Sequence, residues 1–170
     1  MLQLRCTSKV IKFLGLKPCD LKEAKEPNSL LGDWYVNMFV VDRRKTLLFM
    51  NETTLLSFVI YGVRKDTIKN IPDLLLCGID QLLTFEGLTI AEINKIFTRY
   101  ESIEFTKTNS RSTLGNMNDL VELYKHSILY EGGLKHCALT DIIRRINRTP
   151  QRNLGWAKSI ETVKQLLKQP

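Results

Sequence analysis

Histidine is scarce in this chain: His126 and His136 are the only two in 170 residues. No G-x-S-x-G elbow is present, so a serine nucleophile would depend on one of these two distant bases. The chain also lacks a G-x-x-x-x-G-K-[ST] loop, a G-x-G-x-x-G turn and an H-E-x-x-H helix. Those absences remove the common routes to nucleotide, dinucleotide and zinc-protease chemistry. The four cysteines, Cys6, Cys19, Cys77 and Cys137, form no C-x-x-C pair. They read as small buried hydrophobes rather than bridges, and His136-Cys137 with His126 is a poor start for a metal site, so no metal and no cofactor are expected. No run of 18 or more apolar residues occurs, and the richest, Leu55 to Val63, is strand-sized, so no membrane association is expected. Lys9 and Lys12 interrupt the apolar positions near the N-terminus, which argues against a signal peptide and for a cytoplasmic protein.

Acidic residues are nearly missing from the C-terminal stretch. Between Ile142 and Pro170 only Glu161 stands against Arg144, Arg145, Arg148, Arg152, Lys158, Lys164 and Lys168. With a net charge of +7 over the whole chain, this bias favours contact with nucleic acid, another polyanion or an acidic protein. A solvated helix face is the plain alternative.

What is present reads as one domain over residues 1–170. "LQLRC" alternates as a first strand, and Thr7-Ser8 can start a helix that ends near Gly15. Two strands follow, about Asp33 to Val41 and about Thr46 to Asn51, with Asp42-Arg43-Arg44-Lys45 as a charged hairpin tip. Both faces of the first are largely apolar, which predicts a central place in a sheet covered on two sides. "LLSFVIYGV" adds a strand.

Helical spacing runs from Ile71 to Phe85, and Thr89-x-x-Glu92 is a capping box for a helix from Ala91 to Tyr100. "IEFTKT" is a strand; a helix from Thr113 or Leu114 carries the stripe Met117, Leu120, Val121, Tyr124 and Ile128. Helices around Leu139 to Ile146 and Ser159 to Lys168 close the chain. The order β-α-β-β-β-α-α-β-α-α-α predicts an α+β fold, a mostly antiparallel sheet with helices packed against it.

Two polar stretches carry the functional expectations. "KTNSRSTLGNMNDL" sets Asn109, Ser110, Arg111 and Ser112 at a helix N-terminus, where free N–H groups and the helix dipole favour an anion. Arg111 adds a forked donor, and Gly115 would allow close backbone approach. Ser110 or Ser112 is equally apt as a plain N-cap. "NRTP", from Asn147 to Pro150, reads as a turn, or as the bearer of an Arg148 that joins Arg111 in one basic pocket. A magnesium nuclease would need converging acids; Asp33, Asp42, Glu104 and Asp119 are the nominees, and only Asp119 has polar company. Trp34, Tyr35, Phe39 and Trp156 read as core before they read as base-stacking rings. Asn51-Glu52-Thr53 and Asn147-Arg148-Thr149 match the glycosylation sequon, without consequence in an unsecreted protein.

The blocks "LLGDWYVNMFVVDRRKTLLFMNETTL", "KTNSRSTLGNMNDL" and "NRTP" together resemble a family of small bacterial proteins that carry a domain of unknown function. The resemblance spans nearly the whole chain and implies a bacterial or mobile-element protein of the cytoplasm. It carries no activity, cofactor or catalytic residue across.

Three functional expectations follow. The first is a non-enzymatic module that engages nucleic acid or another polyanion through Arg111, Arg144, Arg145, Arg148, Arg152 and Lys158. The second is an enzyme or ligand pocket in which Asn109, Ser110, Arg111, Ser112, Gly115, Asn116, Asp119 and Arg148 gather on a phosphate or carboxylate. The third is a protein-partner module such as an antitoxin or a defence-system inhibitor, alone or as a homodimer.

Overall fold

The computed structural model describes residues 1–66, 70–98, 100 and 102–169. Its strands are β1 (Leu2–Cys6), β2 (Trp34–Val41), β3 (Arg44–Asn51), β4 (Ser57–Tyr61) and β5 (Ile103–Lys107). The helices are α1 (Ser8–Leu14), α2 (Ile71–Phe85), α3 (Ile90–Phe97), α4 (Arg111–Tyr130), α5 (Leu139–Asn147) and α6 (Ser159–Leu167). Their order along the chain is the expected one, and the α+β class holds.

The five strands form one open sheet in the order β4-β3-β2-β1-β5. It is mostly antiparallel: the ladders β2–β3 and β3–β4 pair eight and five residues, against three and five in the parallel ladders β1–β2 and β1–β5. β2 lies centrally, as its two apolar faces require. The β2–β3 turn is tighter than expected. Val41 pairs with Arg44, so only Asp42 and Arg43 form the tip, both left-handed at φ 49 and 60. Asp42 also accepts a hydrogen bond from the Leu134 N–H (3.1 Å), which ties the hairpin tip to the chain after α4.

Alternation along the strands sorts their side chains onto two faces. Leu2, Leu4, Trp34, Val36, Leu47, Phe49 and Phe58 face α1, α2, α3 and α6 in one apolar core. Tyr35, Phe39, Leu48, Met50 and Val59 face α4 and α5 in a second. The α4 stripe of Met117, Leu120, Val121, Tyr124 and Ile128 is buried there as its spacing predicts. Among the described residues, no side chain of β1 or β5 belongs to this second core. Gln3 and Arg5 of β1 stand there instead, paired in register with Glu104 and Thr106 of β5. That polar half of the sheet is where α4 begins.

Local signals account for most element ends. Gly15 closes α1 at φ 67. Thr89 and Glu92 make the expected capping box on α3, which ends at Phe97. α4 starts earlier than expected, at Arg111, because Ser110 takes the cap: its Oγ accepts the Thr113 N–H at 3.2 Å. Of the cysteines, Cys6 is buried and Cys137 half-buried, whereas Cys19 and Cys77 are exposed; all are free thiols.

α2 approaches β4 closely at Gly78, where an added Cβ would lie 2.1 Å from the Phe58 ring. Phe58 is itself stacked on Phe49, with ring centroids 5.0 Å apart, and has little room to yield. Gly78→Ala should therefore destabilise the fold by about 1–3 kcal/mol through overpacking, despite alanine's better helix propensity. Urea denaturation followed by circular dichroism measures this directly.

Candidate functional site

The polar half of the sheet is organised around Arg5, whose side chain is only 4% exposed. Its Nε and Nη2 both donate to Asp33 Oδ2, at 3.1 and 2.7 Å. Asp33 also accepts from the Gln3 side chain (2.9 Å) and, more weakly, from the Gln3 N–H (3.4 Å). Glu52 Oε2 stands 3.8 Å from Arg5 Nε, and the guanidinium lies over the Tyr35 ring at 5.9 Å. Gln3 then holds the connector between α1 and β2: its amide exchanges two 2.7 Å hydrogen bonds with the Lys25 backbone.

Of these groups, Arg5, Lys25, Tyr35 and Glu52 line a cavity of about 600 Å³ together with Thr53, Asn109, Ser110 and Thr113. The Tyr35 hydroxyl donates to Asn109 Oδ1 at 2.9 Å, which joins β2 to the strand-to-helix junction. Arg5 Nη1 has no acceptor among the described residues. Thr106 Oγ1 and the acceptor Glu104 Oε2, both buried on the same face, likewise have no hydrogen-bond partner among the described residues. An unpartnered buried donor on a charged group is costly, and Arg5 is one of the residues that line the cavity.

Electrostatics add to this. Burial pushes the Asp33 carboxyl up, against the opposing pull of Arg5 and Gln3. Burial, and then the neighbouring Asp33, push the Glu52 carboxyl up as well, although Arg5 works against the shift. Tyr35 is raised, chiefly by burial. Perturbed groups gathered in one cavity are a mark of functional sites.

Of the residues expected to bind a ligand, Asn109 and Ser110 line this cavity. Arg111, Ser112 and Asp119 are exposed on α4. Asn116 accepts a hydrogen bond from the Asn153 side chain. Gly115 faces open space, so no close backbone approach explains it. Arg148 is elsewhere and does not join Arg111. It reaches Glu86 at 2.9 Å, as Arg144 does at 3.0 Å, and the two clamp a carboxylate that is 2% exposed. Arg145 pairs with Glu131 (2.7 Å) and Lys158 with Glu161 (3.3 Å); Arg152 is exposed. Asn147, in the "NRTP" turn, is buried against β4.

Among the described residues no His, Cys, Asp and Glu cluster could hold a metal ion. Asp33, Asp42, Glu104 and Asp119 are not brought together as such a centre. Trp34, Tyr35 and Phe39 are buried, and Trp156 is 68% exposed. No helix among the described residues is long and apolar enough to cross a membrane.

Sequence reasoning missed Arg5, Gln3, Tyr35 and Glu52 as site residues. The available signal was Gln3 and Arg5 at i and i+2, two polar side chains on one face of an otherwise apolar strand.

Residues 3–162 match the profile of a family described as Domain of unknown function (DUF6933). The chain belongs to DUF6933. A search of the curated proteins returned no match. The matched span takes in every residue that lines the Arg5 cavity, so the site lies wholly within the DUF6933 domain.

Glu52 supplies a pH test. Its carboxyl is raised in the folded protein, so ionising it costs stability; the penalty is absent below the ordinary carboxylate range and grows as pH rises through the raised value. Glu52→Gln should stabilise the protein at neutral pH by on the order of 1 kcal/mol, as removal of a strained site group often does. The gain should vanish at about pH 3, where the unfolded carboxyl is also protonated. Urea melts at the two pH values check it.

Proposed function

We propose that this domain binds a small polar molecule in the Arg5–Tyr35–Glu52 cavity. The observation that carries the reading is Arg5 Nη1, a buried charged donor that lacks an acceptor among the described residues and belongs to a cavity-lining residue. A ligand oxygen there would make a charge-assisted hydrogen bond.

Charge balance narrows the ligand. Arg5 shares its charge with Asp33 and also faces Glu52, so the cluster is not a bare cationic cradle. A phosphate or carboxylate would be opposed by Glu52 unless that group took up a proton. A molecule that offers an acceptor to Arg5 and a donor to Glu52, as an amide, an amino acid or a nucleobase edge does, meets both without this cost. Asn109 and Thr53 supply further polar contacts at the rim.

The test is a thermal-shift and calorimetric screen with nucleosides, amino acids, small carboxylates and inorganic phosphate. A hit should lose roughly 10- to 100-fold in affinity in Arg5→Lys, the equivalent of one charged hydrogen bond. Asn109→Ala, closer to the surface, should weaken it less. Equal affinity in both variants, with folding confirmed by circular dichroism, would overturn the reading.

A second reading, contact with nucleic acid or another polyanion, keeps one specific support. Arg111 and Arg152 are exposed and without an ion-pair partner among the described residues, and the Asn116–Asn153 hydrogen bond brings the Arg152 loop against the first turns of α4. On that reading, binding to random-sequence DNA or RNA weakens steeply with salt, and Arg111→Ala and Arg152→Ala each lower the slope of log K against log salt by about one. Absence of binding at low salt removes it.

A further inference from the structure

We infer that the groove between α2 and α5 receives an extended peptide segment, which adds as a strand to the free edge of β4. β4 ends the sheet, so one side of its backbone has no strand partner. The register tells which groups are left. Gly62 donates to the Lys45 carbonyl (2.9 Å) and Asn51 to the Leu56 carbonyl (2.8 Å). Antiparallel alternation then turns Phe58 and Ile60 inward to β3, and Ser57, Val59 and Tyr61 outward.

Ser57 is already satisfied. Its N–H donates to Asn147 Oδ1 at 2.9 Å, and its carbonyl accepts from Asn147 Nδ2 at 2.7 Å and from the Tyr124 hydroxyl at 3.1 Å. The Asn147 side-chain amide thus imitates one residue of a neighbouring strand. Val59 and Tyr61 have no such substitute for their outward N–H and C=O groups among the described residues. Edges of this kind are ready templates for strand addition.

The walls fit the same occupant. A groove of about 310 Å³ runs along the β4 edge, with Leu74, Cys77, Leu82 and Phe85 of α2 on one side and Ile143 of α5 on the other. Phe85 is 54% exposed. A strand laid along β4 sends alternate side chains to the two walls; the α2 wall is apolar apart from Gln81, and on α5 Ile143 lies between Thr140 and Arg144. The segment that fits is therefore extended, uncharged over its central residues, apolar where it meets α2, and apolar or hydroxyl-bearing where it meets α5. A second copy of this chain fits badly. Its own β4 edge lies between the same two helices, and two recessed edges cannot meet. A small apolar molecule would leave the Val59 and Tyr61 backbone groups unpaired.

The experiment uses the full chain, labelled with nitrogen-15, and a blocked hexapeptide with lysine at each end and valine, isoleucine, valine and threonine between. Titration should shift the Val59 and Tyr61 amide signals and slow their hydrogen exchange at least 10-fold. A peptide N-methylated at its central residues should bind at least 10-fold more weakly. Cys77→Lys, at an exposed wall position, should do the same to the unmodified peptide while leaving the fold intact. Three results would each overturn the proposal: no binding at millimolar peptide, equal binding of the N-methylated peptide, or a β4-mediated dimer in sedimentation that buries this edge.

Discussion

The contact between Arg5 and Asp33 is the constraint around which the polar half of this molecule is arranged. It sets a full charge pair into the sheet at 2.7 Å, where both partners are almost wholly removed from water. Such pairs rarely add net stability, because desolvating two ions costs about as much as their attraction returns. Apolar residues at these positions would have extended the second core across β1 and β5. The pair instead fixes the entry to β2 beside β1, orients Gln3, and through Gln3 pins the connector at Lys25.

The same economy appears on the other side of the molecule. Glu86 is buried at the end of α2 and takes both Arg144 and Arg148 from α5, while Lys164 of α6 donates to its backbone carbonyl at 3.2 Å. Through its carboxylate and its backbone carbonyl, one residue therefore holds three elements. Much of the basic C-terminal charge is engaged in pairs within the chain, and a composition count cannot distinguish it from a contact surface. The sign of a run of charges says little until the partners are known.

The elements that were legible in the sequence are those specified by neighbours in sequence. The Thr89-x-x-Glu92 box, the α4 stripe and the double-sided apolar character of β2 each depend on spacings of two to four residues. The less legible features depend on distant pairing. Nothing within "LQLRC" says that β1 lies parallel to both β2 and β5, and that placement is what brings Arg5 to Asn109. Glu86 lies 58 and 62 residues from its arginines. The hairpin tip was drawn two residues too long because Arg43 carries a left-handed φ that its residue type rarely adopts. Asn109 and Ser110 were identifiable from the junction chemistry, whereas their partners across the cavity were not.

Both glycosylation sequons are sealed by the fold. Asn51 is fully buried and donates its Nδ2 to the carbonyls of Leu31 and Asp33. Asn147 is equally buried and donates its Nδ2 to Ser57 and Ile143. The nitrogen that a glycan would take is in each case a structural donor with no path to solvent. Modification and folding are therefore mutually exclusive at these sites. In a eukaryotic secretory host, where sugars are attached as the chain emerges, a glycan at either asparagine would hold the sheet open at β3 or detach α5 from β4.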